Sequence, residues 1–364
     1  MDLQFTHNTD IQILQACPFD EAVDLIAIGG DNGVDILVLK NTGFENVASF
    51  SLGSRVTALA WSSKTVSPTF SDDWMIELAV ASSDCSLQLL TNSESQTDCL
   101  KFGGGLTGHH GKINAMTFCG GGGGGENSMR YLATVSDDKM LMVWDLYPKA
   151  TSSGLGKSSA TLQPTAYVIP FMYPLVSIDS QPASGKVLLV TDCRGCIFIT
   201  DWKSDPGCHE QNYGRHSSII ELFDPRSLAT AAQATSTASS AFWRPDTTDI
   251  IGAVHGSRFS IWDMKNLQGG RAFASGICFP DGAHQFRWCR TCPEYFATAS
   301  RFPTQGAIVN VYNLNYIHAQ PTTFNVASKP NTINAMDFIS LPGIPRIVAA
   351  TGRKLTVFFV GVNK

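Results

Sequence analysis

Apolar residues fall in short runs along the whole chain, and the runs come in sets. Seven segments open on an apolar strand pattern, beginning at Ile11, Val56, Ile113, Leu175, Ala238, Ala283 and Ile333. Three are plain to the eye: Val56-Thr57-Ala58-Leu59-Ala60-Trp61, Ile113-Asn114-Ala115-Met116-Thr117-Phe118 and Ile333-Asn334-Ala335-Met336-Asp337-Phe338. In the first, fourth and fifth segments a proline stands two residues past the expected strand end, at Pro18, Pro182 and Pro245. A residue without an N–H can end a ladder there at little cost. A second run follows in each segment, at 25–28, 76–80, 131–135, 187–190, 250–254, 295–299 and 346–350. A third ends on Val38, Leu90, Trp144, Thr200, Trp262, Tyr312 or Phe358.

Those last positions recur at intervals of 46 to 62 residues, somewhat longer than the roughly 40–45 of an undecorated four-stranded blade. No 3.6-residue apolar stripe lies between the runs, which excludes alternating strands and helices and favours an all-β array. A four-stranded unit with two apolar faces must stack on neighbours, and closing the ring protects its edges. The expectation is therefore one seven-bladed β-propeller over residues 1–364. Its blades fall near 11–52, 53–102, 106–166, 167–225, 238–276, 283–327 and 331–361, with flexible insertions near 119–127, 150–163 and 203–237. The strand pattern at Leu3 to Phe5 is expected to complete the last blade.

The third segment carries a fuller signature. Leu106-Thr107-Gly108-His109 precedes Ile113–Phe118; Tyr131-Leu132-Ala133-Thr134-Val135-Ser136-Asp137-Asp138 and Met142-Val143-Trp144-Asp145-Leu146 follow. This resembles the WD40 repeat. The resemblance implies that His109, Thr134, Asp138 and Trp144 form a buried hydrogen-bonded chain, a structural tetrad and not a catalytic His–Asp dyad, since a satisfied buried network rigidifies a blade. The other segments, among them Cys17-Pro18-Phe19-Asp20, Arg55–Ser62, Phe286-Arg287-Trp288 and Lys354–Val360, are similar to the WD-repeat nucleoporin family of the nuclear pore's Y-shaped scaffold complex. That resemblance implies a structural subunit at the nuclear envelope that supports nucleocytoplasmic transport of protein and mRNA. Its implied partner is the large subunit combining a propeller with a helical solenoid. The Gly120–Gly125 tract and the insertions at 150–163 and 203–240 depart from the family pattern, so contacts through those loops do not carry over.

Composition narrows the remaining classes. The chain is 43% hydrophobic and 16% charged, with 26 Lys plus Arg against 31 Asp plus Glu, which offers no basic footprint for a nucleic-acid backbone. The first residues lack the basic and apolar regions of a secretory signal, so an intracellular protein is expected. The longest apolar stretch, Tyr167–Val176, is broken by Pro170 and Pro174 and falls well short of a membrane span. Ten scattered cysteines read as free thiols.

The chemical motifs each have a bland reading that fits better. The glycine run lacks the spacing and lysine of a phosphate cradle and sits in a hairpin, so a linker is expected. Gly156-Lys157-Ser158 and Gly111-Lys112 have Thr151 and Leu106 where a Walker loop needs glycine. Two C-x-x-C pairs, Cys193/Cys196 and Cys289/Cys292, would make a closed zinc site if they met, but a propeller sends them to opposite faces, two blades apart. No G-x-S-x-G elbow is present. The sequence therefore predicts no enzyme, no cofactor and no metal. The alternative function is a WD-repeat adaptor, or a reader of peptides or modified residues at the channel mouth. A reader would need an aromatic cage or charge ring, and the loops at Ser54-Arg55, His109–Lys112 and Lys329–Thr332 offer charge but little aromatic content. A propeller hydrolase would need a converging acid–base set at the channel. The sequence identifies no particular blade as the partner interface.

Overall fold

In the computed structural model the chain is described at residues 3–120, 130–148, 164–182, 186–202, 219–231, 239–267, 269–300, 302 and 304–361. It forms seven four-stranded antiparallel sheets. The final sheet joins the two ends of the chain: β1 (Leu3–Thr6) pairs with β28 (Lys354–Phe359), which continues into β27 (Arg346–Thr351) and β26 (Ala335–Ile339). Leu3 lies opposite Val357 and Thr6 opposite Lys354, the closure expected from the sequence. Blade one is β2 (Ile13–Ala16), β3 (Leu25–Gly29), β4 (Gly33–Lys40) and β5 (Gly43–Ser51). Blades two to six repeat the order, opening on β6 (Val56–Trp61), β10 (Ile113–Cys119), β14 (Leu175–Ser180), β18 (Ser239–Trp243) and β22 (Ala283–Trp288).

Six of the seven third-run anchors occupy one column of the blades; in blade one that place is taken by Leu37, opposite Ile26, and Val38, expected there from the sequence, faces blade two instead. Trp144 lies opposite Leu132, Trp262 opposite Ile251, Tyr312 opposite Phe296 and Phe358 opposite Ile347. All seven anchors are buried, and they pack between neighbouring sheets, as where Val38 and Leu90 meet Trp61 and Val56 in one cluster. Burying faces of β-branched and aromatic residues blade against blade supplies the driving force of the ring. Opening strands of blades two, three, four and six bulge at their second residue, which bends the strand and increases its local twist.

The prolines do end the ladders. Cys17, Gln181 and Arg244, each one residue before its proline, donate the last N–H to Leu25, Val187 and Ile250. Pro18, Pro182 and Pro245 have none to place.

Three sequence expectations need adjusting. Ala238 lies outside the described residues, and the fifth opening strand is seen from Ser239. A boundary at 166/167 cuts β13 (Thr165–Pro170), which belongs to blade three because Asp145 lies opposite Thr165 and Met140 opposite Pro170. The stretch read as an insertion at 203–237 includes regular structure at 219–231. Here β17 (Ile219–Leu222) is the outer strand of blade four, held to β16 (Ile197–Asp201), and α1 (Pro225–Ala231) follows. Asp224 caps that helix, accepting from Arg226 N at 3.0 Å and Ser227 Oγ at 2.9 Å, with Pro225 at the first helical position, which its fixed φ favours. Ser260 Oγ reaches the same carboxylate at 2.7 Å. A helix of only seven residues, tied to a neighbouring blade, leaves no apolar periodicity to read. The remainder of the stretch, 119–127 beyond Gly120, and all of 150–163, including the motif Gly156-Lys157-Ser158, lie outside the described residues.

Candidate functional site

The predicted tetrad residues are brought together in blade three. β11 (Tyr131–Ser136) supplies Thr134 and β12 (Met140–Asp145) supplies Trp144; His109 and Asp138 come from the adjoining loops. His109 Nδ1 lies 2.9 Å from Asp138 Oδ2 and its Nε2 lies 2.8 Å from Thr134 Oγ1; Trp144 Nε1 donates to that hydroxyl at 3.0 Å. Burial pushes the His109 pKa down against the pull of Asp138, so the imidazole is neutral, donates from Nδ1 and accepts the Thr134 proton at Nε2. Burial opposes ionisation of Asp138 too, but the bonds from His109 and from the N–H groups of His110 and Met140 outweigh it and hold the carboxyl low. The chain is saturated and points into the blade, so it presents no group to a substrate.

The column of Thr134 explains why the other blades lack the tetrad. Its counterparts opposite the opening strands are Ile28, Val80, Val190, Ala253, Thr298 and Ala349, five of them unable to accept an indole proton. Trp262 in blade five instead donates to Gly270 O at 3.1 Å.

A second arrangement was not foreseen. The fifth residue of each opening segment faces the channel, and around the ring this column reads Gln15, Ala60, Thr117, Asp179, Phe242, Arg287 and Asp337. With the proline loops, Arg290, Ser340 and the buried aromatics beside them, it lines a cavity of about 340 Å³. The mouth lies at the ends of the opening strands, on the face away from the tetrad loops. Both carboxylates join blades: Asp179 accepts from Trp243 N at 2.9 Å and Ser180 N at 3.0 Å, and Asp337 from Ala16 N at 3.1 Å and Phe338 N at 2.9 Å. Arg287 stacks 4.2 Å over the Phe242 ring, donates to Phe286 O at 2.9 Å and stands 3.6 Å from Asp337. Burial raises the Asp179 pKa to about 7 against the two N–H bonds. It raises Asp337 as well, against Arg287, and lowers Arg287 against the two aspartates. A buried group left without a partner costs about 1–3 kcal/mol, and Trp243 Nε1, Ser340 Oγ and Gln15 Oε1 have no partner among the described residues.

The cysteine pairs are far apart in the ring. Cys193 and Cys196 sit in the turn between β15 (Val187–Asp192) and β16, Cys289 and Cys292 after β22. Burial raises Cys196 to about 11 and raises Cys193 and Cys289, which keeps these thiols protonated. Among the described residues no three His, Cys, Asp or Glu side chains are placed to hold a metal, nine cysteines are free, and no helix is long and apolar enough to cross a membrane. Large apolar side chains are exposed on neighbouring rims of blades four and five: Ile220, Phe223, Phe273 and Ile277.

Seven closed blades with one full His–Thr–Asp–Trp chain place the molecule in the class of WD-type β-propellers. Within that class the chain is Nup37-like. It is 24% identical over 323 residues to mouse nucleoporin Nup37, covering 85% of this chain and 83% of the relative. To human nucleoporin Nup37 it is 22% identical over the same length and coverage. No family profile matches the chain. Among solved structures, Chaetomium thermophilum Raptor shares the fold at TM-score 0.68 and 12% identity; the match covers all of this chain and 29% of Raptor.

Proposed function

We propose that this chain is a structural nucleoporin, a rigid disc that holds a large partner in the Y-shaped scaffold of the nuclear pore and so supports transport of protein and mRNA across the nuclear envelope. The observation that carries this reading is the likeness to nucleoporin Nup37 across 85% of the chain. The site chemistry agrees with it, since the His–Asp pair of the tetrad is consumed internally and burial keeps Cys193, Cys196 and Cys289 protonated. The partner we assign is the subunit with a propeller and a helical solenoid. The exposed rim of blades four and five suits such a partner: Ile220, Phe223 and Ile277 give apolar anchors beside the Arg258–Asp224 pair, and contiguous apolar surface on a soluble protein marks contact sites. Affinity purification of the tagged full chain from its native cell, with quantitative mass spectrometry, tests this. Recovery of scaffold subunits in equal amounts supports it, whereas recovery of a different assembly without them sinks it.

A further inference from the structure

The channel mouth holds more donors than its acceptors use. Each oxygen of Asp179 and of Asp337 already accepts a backbone N–H, so the carboxylates are engaged in joining blades. Facing the same cavity, Arg290 is exposed and has no hydrogen bond or ion pair among the described residues, and most of the Arg287 fork remains uncommitted. Trp61 and Trp288 donate across to the preceding blade, to Gln15 O and Phe242 O, both at 3.1 Å. Trp243, at the matching place in blade five, finds no such carbonyl, and its Nε1 is an orphan in a side chain only 4% exposed. Ser340 Oγ is a second, in a residue 8% exposed. The opposite side of the cavity is small and apolar, with Ala60, Thr117 and Phe19 leaving the space open.

We propose that this mouth binds a small carboxylate ligand, its acid group taken by Arg287 and Arg290 and its apolar body lying against Phe19, Ala60 and Thr117. The guanidinium fork matches a planar carboxylate. Asp179 and Asp337 face the same space, so a phosphate dianion meets about twice the repulsion that a singly charged carboxylate meets. Protonation of Asp179 removes one of the two negative charges facing the ligand. The other charged groups there are Arg287, Arg290 and Asp337, so binding tightens as pH falls through neutrality. The acid can arrive as a free small molecule or as the end of a peptide.

Three tryptophans line the cavity, so fluorescence titration of the full chain reports occupancy. The probes are phenylacetate, its neutral amide, inorganic phosphate, and a short peptide ending in phenylalanine with a free or an amidated C-terminus. Saturable binding of phenylacetate or of the free-acid peptide is expected, with affinity about tenfold or more lower for the amides and for Arg290→Ala. Arg290→Lys should recover part of the loss. Because Arg290 is exposed, its variants should melt with the parent, which separates lost binding from lost folding. Ala60→Leu, which fills the apolar half, should abolish binding. Binding by only one of the two acids supports the site and identifies its source. Absence of saturable binding by either acid, equal binding of the amides, an affinity for phosphate matching phenylacetate, or no change in Arg290→Ala would each overturn the proposal.

Discussion

The side-chain amide of Asn334 donates to the carbonyl of Ile11 at 2.8 Å, across the joint where the ring closes. Asn114 makes the same 2.8 Å bond to Leu175 O between blades three and four. In both, the acceptor lies at the start of the following blade's opening segment, so the closing joint is fastened as an internal one is. Replacing Asn334 with alanine should cost about 1 kcal/mol, and with aspartate more, because two acceptors then face each other. Denaturant unfolding of the two variants measures this, and equal stabilities to the parent would show that the bond carries no weight.

Removal of residues 1–8 takes away β1 and strips β28 of its outer partner. It also removes His7, whose Nε2 lies 2.8 Å from Asp35 of blade one. The thermal midpoint should drop by several degrees, which differential scanning calorimetry would register; an unchanged midpoint would contradict closure by this strand.

Thr134→Val keeps the shape of the side chain and deletes the hydroxyl that joins His109 to Trp144. Two buried ring nitrogens are then left without partners, at about 1–3 kcal/mol each. The loss should appear as faster amide exchange in blade three before the rest of the ring. Uniform exchange with parental stability is the outcome that denies the tetrad its structural role.

Asp179 titrates near 7 when folded, against 3.8 for an ordinary aspartate. Between those values the folded chain holds a proton that the unfolded chain releases, so the contribution is full below about 3.8 and is lost as pH rises through about 7. Asp337 acts in the same direction. His109 acts oppositely, losing stability as pH falls below the ordinary 6.5, and the buried thiols, raised from 9.0, add a slope of the aspartates' sign only as the unfolded thiols ionise, so the window from 6.5 to about 8 isolates the aspartates. There the thermal midpoint should fall with rising pH, and Asp179→Asn should flatten much of that slope. A variant with the parent's slope would assign the titration elsewhere.

Gly252 sits in β19 (Ile250–His255) directly under aromatic rings. A Cβ placed there would come within 2.3 Å of Phe286 and 2.7 Å of Trp288, in a cluster that also holds Phe296 and Tyr312. Gly252→Ala should cost about 1–3 kcal/mol by overpacking, and Phe286→Leu in the same chain should return part of it. Chemical denaturation of the single and double variants decides; additive losses would mean that the two sites do not touch.

The blades were legible because burial on two faces forces apolar runs at a regular spacing, and Leu25–Ile28 or Tyr295–Ala299 show it even without a WD signature. The tetrad was legible in one repeat because its four polar types are local to about thirty-five residues. The channel column was not, for a physical reason. Asp179 and Arg287 stand in strands that also carry Ser177, Ser180, His284 and Gln285, so nothing local marks them, and only ring closure brings them to one level with Asp337. Aligning the seven opening segments and reading their fifth residue would have exposed the series. α1 escaped notice because it is a helix of only seven residues, fixed through its cap Asp224 by Ser260 and Arg258, with no stripe of its own.

The pairing of Leu3 with Val357 has a consequence for synthesis. β1 is made nearly a whole chain ahead of the strand it must meet, so a growing polypeptide can fold blade after blade yet stays an open arc with two unsatisfied rims. On a crowded polysome the waiting strand can as readily clasp the finished last blade of a neighbouring copy. β28 thus decides whether the polypeptide closes into a ring or joins a second copy as two linked arcs, and shielding β1 until β28 is made would act on yield while leaving the stability of the finished disc untouched.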